Sequence, residues 1–230
     1  MRFALITTFL FSIASTASSQ TPQWGISISP VISNGRLPNG VGVGYAGAPF
    51  FTGNLVVDEQ KEPGFSTEIF REHLIRVMRV SLKTSVGYLA CGMYQHFDYD
   101  YANSINNIVS IENRFRFITF NALVKYSLPV NGSTVYVSIG PHIGYMIYSL
   151  ETSTNMVNGE LTTGSFNFLS NEKRINYGGQ YTIGGRYKRI SAEAFYRPYY
   201  KIPYHTAGRR IINFGVTVSV YVSGDRKNRN

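Results

Sequence analysis

The sequence predicts an all-β fold, an eight-stranded antiparallel up-and-down transmembrane barrel. Three observations lead there. The first is the segment TVYVSIGPHIGYMIYS at residues 134–149, which splits into two faces with a period of two. Val135, Val137, Ile139, Pro141, Ile143, Tyr145 and Ile147 form an apolar strip, while Thr134, Tyr136, Ser138, Gly140, His142, Gly144, Met146 and Tyr148 form a small, polar or amphipathic one. Successive side chains of a strand point to opposite faces, and a tilted strand needs about 9–11 residues to cross a bilayer. The second observation is that long and short connections alternate along the chain. The third is an N-terminal export segment with no later run near the ~18 apolar residues of a helical span.

The export segment comes out of the fold first. Arg2 gives a short positive region, residues 3–14 an apolar stretch, and Ala17-Ser18-Ser19 a small-residue cleavage site before Gln20. This reads as a signal peptide over residues 1–19, too short for a membrane helix. Residues 20–230 are then the barrel with a short periplasmic tail. No Cys follows the apolar stretch, so a lipoprotein is not indicated. Export argues against a cytosolic enzyme, and the single Cys91 allows neither an internal disulfide nor a Cys-rich metal site. Cys91 reads as a buried filler. The 17 Tyr, 15 Phe and 22 Gly beside 15% charged residues suit aromatic girdles around a polar interior. The net charge of +9, or +8 without Arg2, points to outer-membrane lipid, anionic lipopolysaccharide and interior carboxylates as neighbours, not to nucleic acid.

Each further strand candidate shows the same split. Trp24, Ile26, Ile28, Pro30 and Ile32 alternate with Gly25, Ser27, Ser29, Val31 and Ser33. Residues 65–74 carry the ambiguous pattern, because Ile69, Phe70, Leu74, Val77 and Met78 also suit a helical face. A strand directing Glu68 and Glu72 inward is preferred, since closure calls for an even strand number. In residues 82–94, Val86, Tyr88 and Ala90 oppose Lys83, Ser85 and Gly87. In residues 118–127, Ile118, Phe120, Ala122, Val124 and Tyr126 oppose Thr119, Asn121 and Lys125. Tyr177, Tyr181, Ile183 and Tyr187 oppose Asn176, Gln180, Thr182, Arg186 and Lys188. Ala192, Ala194, Tyr196, Pro198, Tyr200 and Ile202 oppose Ser191, Glu193, Arg197 and Lys201. The last strand sets Ile212, Phe214, Val216, Val218, Val220 and Val222 against Asn213, Gly215, Thr217, Ser219 and Tyr221.

The long connections are residues 34–64, 98–112 and 150–174, with a shorter one at 203–209 in the same alternation. The tight ones lie at 75–80, at 128–133 with its Asn131-Gly132 hairpin signal, and near Arg189. Short turns belong in the periplasm and long loops outside, which places both termini in the periplasm. Trp24, Tyr126 and Tyr187 then fall near the periplasmic rim, and Tyr94, Tyr145, Tyr177 and Tyr200 near the outer rim, where amphipathic rings favour the interface. Pro30, Pro141 and Pro198 remove ladder donors and are expected at bulges, bends or rims. Gly178, Gly179, Gly184 and Gly185 are expected to relieve crowding in a curved strand.

The lumen of an eight-stranded barrel is just wide enough for side chains to fill it. Its expected inward charges are Glu68, Glu72, Lys83, Lys125, His142, Arg186, Glu193, Arg197 and Lys201, paired because isolated buried charges are costly. The reading is a lumen plugged by an ionic network; a narrow ion path is the alternative. His142 reads as a hydrogen-bonded interior histidine. His205, beside Tyr204 in the last outer loop, is where a lipid-A-modifying enzyme would place a base, but no Ser or acid has a spacing that fixes a triad. Gly42-Val43-Gly44 lacks the rest of a dinucleotide fingerprint. No catalytic, cofactor or metal site is assigned.

The run Gly25–Ser33 (GISISPVIS), FITFNALVKY at 117–126, VYVSIGPHIGY at 135–145 and YKRISAEAFYR at 187–197 resemble the PorT-like outer-membrane β-barrel family. The likeness spans most of residues 24–223. It implies an eight-stranded barrel of the OmpA/OmpX-like architecture in the outer membrane of a Gram-negative bacterium. Some members of that family assist type IX secretion. The leading expectation is therefore a non-enzymatic structural or accessory subunit, with other outer-membrane or periplasmic proteins as partners. A surface binder or adhesin using the long loops comes second, ahead of a lipid-modifying enzyme at His205 and a narrow channel.

Overall fold

A computed structural model of the chain describes residues 22–36, 55–75, 79–99, 106–157, 159–167, 174–201 and 210–222. The expected signal peptide and the loop bearing His205 lie outside them. The described residues form ten strands: β1 Gln23–Arg36, β2 Leu55–Gln60, β3 Glu62–Ile75, β4 Val80–Tyr99, β5 Asn106–Val130, β6 Ser133–Val157, β7 Glu160–Phe166, β8 Ile175–Tyr187, β9 Ile190–Lys201 and β10 Arg210–Tyr221. Eight of them close a ring in the order β1-β10-β9-β8-β6-β5-β4-β3 and back to β1. Every pairing is antiparallel, and the first and last strands meet from Gly25↔Tyr221 to Arg36↔Arg210. The chain is an eight-stranded up-and-down transmembrane β-barrel, with β2 and β7 as additions to its wall.

Apolar side chains cover the outside. Ile26, Ile28, Ile69, Val86, Val137, Ile139, Ile183 and Val218 are all exposed, which is stable only against lipid. Tyr177 and Tyr187, both exposed, stand ten residues apart on β8. At ~3.3 Å per residue and ~40° of tilt they bracket about 25 Å of height, the depth of an outer-membrane apolar band. Residues 65–74 belong to a strand, with Ser66, Glu68, Phe70 and Glu72 buried and Phe65 and Ile69 exposed. The helical ambiguity came from Phe70, an inward aromatic: its ring meets Tyr221 edge-on at 5.0 Å and lies 4.7 Å from Lys83 Nζ.

The tight ends follow local chemistry. Asn131 (φ 44°) and Gly132 (φ 78°) both take left-handed conformations, as a two-residue type I′ hairpin requires. The long connections are shorter than the sequence suggests, because the strands continue beyond the apolar band. β5 and β6 each run 25 residues, and segments read as loop at 98–112 and 150–174 are largely paired strand. Above the wall β4 exchanges β3 for β2, and β6 exchanges β8 for β7. A five-stranded extension, β2-β4-β5-β6-β7, results. A bulge marks the point of departure: Arg116 pairs with Tyr148 but Phe117 with Met146. The inward phase of β6 therefore shifts from Met146 to Ser149, and Tyr148 leaves the face to which simple alternation assigns it.

Pro198 lies beside the register shift at Tyr177/Gly178, near the loop-end rim, as expected, whereas Pro30 and Pro141 are at neither a bulge nor a rim. Each sits in a gap of the ladder with unshifted register: Pro30 between Ile28↔Val218 and Val31↔Gly215, Pro141 between Asn121↔His142 and Val124↔Ile139, and Pro198 between Gly178↔Tyr199 and Tyr181↔Tyr196. Glycine makes room there. A Cβ on Gly215 would strike the carbonyl of Pro30, and one on Gly178 that of Pro198. Gly184 is similarly crowded, with Glu193 Cβ 2.6 Å from the Cβ it lacks, whereas Gly185 has only the Thr134 carbonyl at 3.7 Å. Gly178→Ala and Gly215→Ala should each lower stability by about 1–3 kcal/mol, the usual cost of overpacking. Gly185→Ala should be neutral; urea titration of the barrel refolded in phospholipid vesicles measures all three.

Candidate functional site

The lumen has two layers. Towards the turn end three carboxylates, Glu68, Glu72 and Glu193, face three cations, Lys83, Lys125 and Arg197. Lys83 Nζ lies 3.0 Å from Glu193, Lys125 Nζ 3.1 Å from Glu72, and Arg197 Nη2 2.9 Å from Glu68. All six side chains are at most 8% exposed. Such pairs persist away from water only when further hydrogen bonds occupy the remaining oxygens and protons. Glu72 accepts from Ser81 Oγ at 2.6 Å and Tyr221 Oη at 2.7 Å, and Glu193 from Tyr136 Oη at 3.0 Å. Glu68 accepts from Ser85 Oγ at 3.0 Å and Asn121 Nδ2 at 3.2 Å. Arg197 Nε donates to Gln180 at 3.1 Å, and Lys125 Nζ also lies 3.9 Å from the Tyr136 ring centroid.

His142 stands at the top of this layer, fully buried. Its Nδ1 meets Asn121 Oδ1 and its Nε2 meets the Tyr199 hydroxyl. Both ring nitrogens are thus occupied, and with no exposed surface the imidazole offers no route to a substrate. Arg186 sits lower, only partly buried at the turn-end mouth, donating to Gln23 at 2.5 Å and to the Lys188 carbonyl at 2.9 Å, with the Tyr221 ring 3.7 Å away. The side chain of Lys201, and that of Tyr200, lie outside the described residues.

The upper layer is mainly apolar, with Ser33, Asn213 and Ser149 also buried at that height. Val31, Leu89, Cys91, Met93, Phe115, Phe117, Met146, Phe195, Tyr199 and Ile211 form one cluster, each at most 5% exposed. An aqueous path along the axis would leave the lining side chains wet. These are dry, so the lumen is a packed core. The pattern was available in the sequence: stepping by two from Lys83 through Ser85 and Gly87 reaches Leu89, Cys91 and Met93. The expectation of a hydrophilic interior concealed it. Alternation also placed Tyr136, Ser138, Asn121, Gln180 and Tyr221 on the inward face, but their roles as partners of particular charges depend on cross-barrel distances that the sequence does not contain.

Outside, Trp24, Tyr126 and Tyr187 are exposed near the turn end and Tyr145 and Tyr177 near the loop end, while Tyr94 is half-buried. Among the described residues no three His, Cys, Asp or Glu side chains converge as metal ligands would.

No family model matches the chain, and no curated protein does. Solved structures do. Neisserial surface protein A is 14% identical, with 87% of this chain and 99% of that one covered and a TM-score of 0.42. Ail, the attachment invasion locus protein of Yersinia pestis, is similar both in complex with the heparin analogue sucrose octasulfate (11% identity, 88% and 99% covered, TM-score 0.37) and without it (10%, 88% and 99%, TM-score 0.36).

The ionic layer yields a stability prediction. Glu68→Ala leaves Arg197 buried and unpaired and should cost about 3–5 kcal/mol, whereas Glu68→Leu with Arg197→Met should recover most of that loss. Denaturant midpoints of the single and double variants in detergent micelles test the difference.

Proposed function

We infer that the protein is a non-enzymatic barrel of the Gram-negative outer membrane, exported by a signal peptide over residues 1–19 and embedded in phospholipid and lipopolysaccharide. Its lumen is an anchor and its working surface is the extracellular extension. The observation that supports this reading most directly is the length of β4, β5 and β6. A band about 25 Å deep needs about 9–11 tilted residues per strand, yet β5 and β6 have 25 each and are joined above the wall by β2 and β7. Rigid paired strands present side chains in fixed positions, which is what recognition of a macromolecular partner requires.

The partner is taken to be a protein. The resemblance to PorT-like barrels supports an accessory role in an outer-membrane complex, of which type IX secretion or assembly machinery is the example. A free-standing adhesin using the same surface is the second reading, favoured by the exposed Leu161 and Phe166 on β7. Co-purification in mild detergent separates the two. An accessory subunit should retain a stoichiometric membrane partner that is lost when residues 150–166 are replaced by a tight turn, with the barrel still folded. An adhesin should purify alone and lose only capture of an external ligand. Planar bilayers test the anchor reading of the lumen: the intact chain should give no steady conductance, and an open, ion-selective level abolished by Glu193→Gln would refute it.

A further inference from the structure

At the upper edge of the apolar band, β6 runs between two cations on the lipid-facing surface. On one side Arg116 of β5, exposed, has its guanidinium 4.6 Å from the centroid of the Tyr148 ring. On the other side Arg174, exposed and immediately before β8, donates from Nη1 to Tyr145 Oη at 3.4 Å, and its carbonyl accepts from Met146 N at 2.8 Å. A third cation, Arg114, stands two residues above Arg116 on the same face, its side chain 67% exposed and 2.5 Å from Glu112. Glu112 pairs with Arg114, and the Glu62 carboxylate lies within electrostatic reach of both. Two neighbouring strand spacings separate β5 from β8, about 10 Å, within reach of two long side chains closing on one headgroup.

The bulge assembles this arrangement. Had β6 kept its alternation, Tyr148 would point into the lumen; the extra residue turns it outward beside exposed Ile147, opposite Arg116. Bulges commonly re-aim a side chain in this way. Below lie Ile143, Tyr145 and Ile147, each at least 40% exposed, where acyl chains would pack; above begin Thr152 and Ser165 of the water-facing extension. Apolar chains below, aromatic rings at the boundary and a fork of guanidiniums above match one kind of molecule. Guanidinium binds phosphate bidentately, and rings favour the headgroup level.

We propose that Arg116, Arg174, Tyr145 and Tyr148 form a binding site for the phosphorylated sugar headgroup of an outer-leaflet glycolipid, with Arg114 as an outlying contact. The inference rests on the outer-membrane orientation given above. It identifies which face of the barrel holds a lipid and through which group.

The test uses the full mature chain folded in zwitterionic detergent, with bis-phosphorylated lipid A as probe and native mass spectrometry counting retained lipid. The chain should retain one lipid A, and enzymatically dephosphorylated lipid A should be retained poorly. Arg116→Gln with Arg174→Gln should weaken retention about 30-fold, since each cation near an anionic surface contributes about 1 kcal/mol. Arg189→Gln, at the opposite end, should change nothing. Equal retention of the dephosphorylated lipid, or undiminished binding by the double variant, would overturn the site. Millimolar inorganic phosphate distinguishes a simple anion site: complete displacement of lipid A by it would also overturn the proposal. Insertion into phosphatidylcholine vesicles, scored by the heat-dependent gel shift of a folded barrel, is measured in parallel. A chain that inserts without discriminating lipid A refutes the site alone, while one that fails to insert refutes the membrane reading beneath it.

Discussion

Closure of the backbone hydrogen-bond ring is the constraint on which the rest depends. In hydrocarbon an unpaired N–H or C=O costs several kcal/mol, so a sheet can cross a bilayer only if its first strand meets its last. β1 and β10 do so from Gly25↔Tyr221 to Arg36↔Arg210, with one gap at Pro30. With eight strands the ring is narrow, and each wall residue must face either lipid or a lumen that side chains fill. The outward apolar run from Trp24 to Ile32 and the inward run from Gly25 to Ser33 are two consequences of one geometry. Strand prolines survive because glycines let the neighbouring backbone approach where a ladder bond is missing.

The interior solves two problems with different chemistry. Near the turns, three acids and three bases cancel one another, and hydroxyl and amide groups fill the remaining hydrogen-bonding positions. Nearer the loops, an apolar cluster replaces them and keeps water from the pairs below. His142 joins the layers, with Asn121 below and Tyr199, itself part of the apolar cluster, above. Excluding water strengthens the ion pairs and makes an unpaired partner expensive, so the two layers support each other.

Above the membrane the constraint lapses. Water can satisfy an open edge there, so the sheet need not remain a ring. β4 and β6 change partners at that height, and β2 and β7 are added where they are no longer excluded by hydrocarbon. The bulge opposite Arg116 and Phe117 lies at the same transition. One irregularity thus ends the wall, reverses the phase of β6 and brings Tyr148 to the surface, which ties the outward-facing cations and the extended sheet to a single bulge of the backbone.

The sequence by itself determined the strand faces, the Asn131-Gly132 hairpin and the up-and-down order, because alternation and turn chemistry are local properties of consecutive residues. Glu68, Lys83, Lys125, Glu193 and Arg197 could be assigned to the inside on phase alone. Phe70 confused the pattern of β3 because an inward aromatic has the same hydropathy as an outward one. Only the tertiary structure decided which acid meets which base, that Leu89, Cys91 and Met93 seal the upper lumen, and that β5 and β6 continue far beyond the lipid. Those outcomes depend on distances across the barrel and on register between strands far apart in the chain, and a bulge of one residue changes them without altering the composition of the segment that carries it.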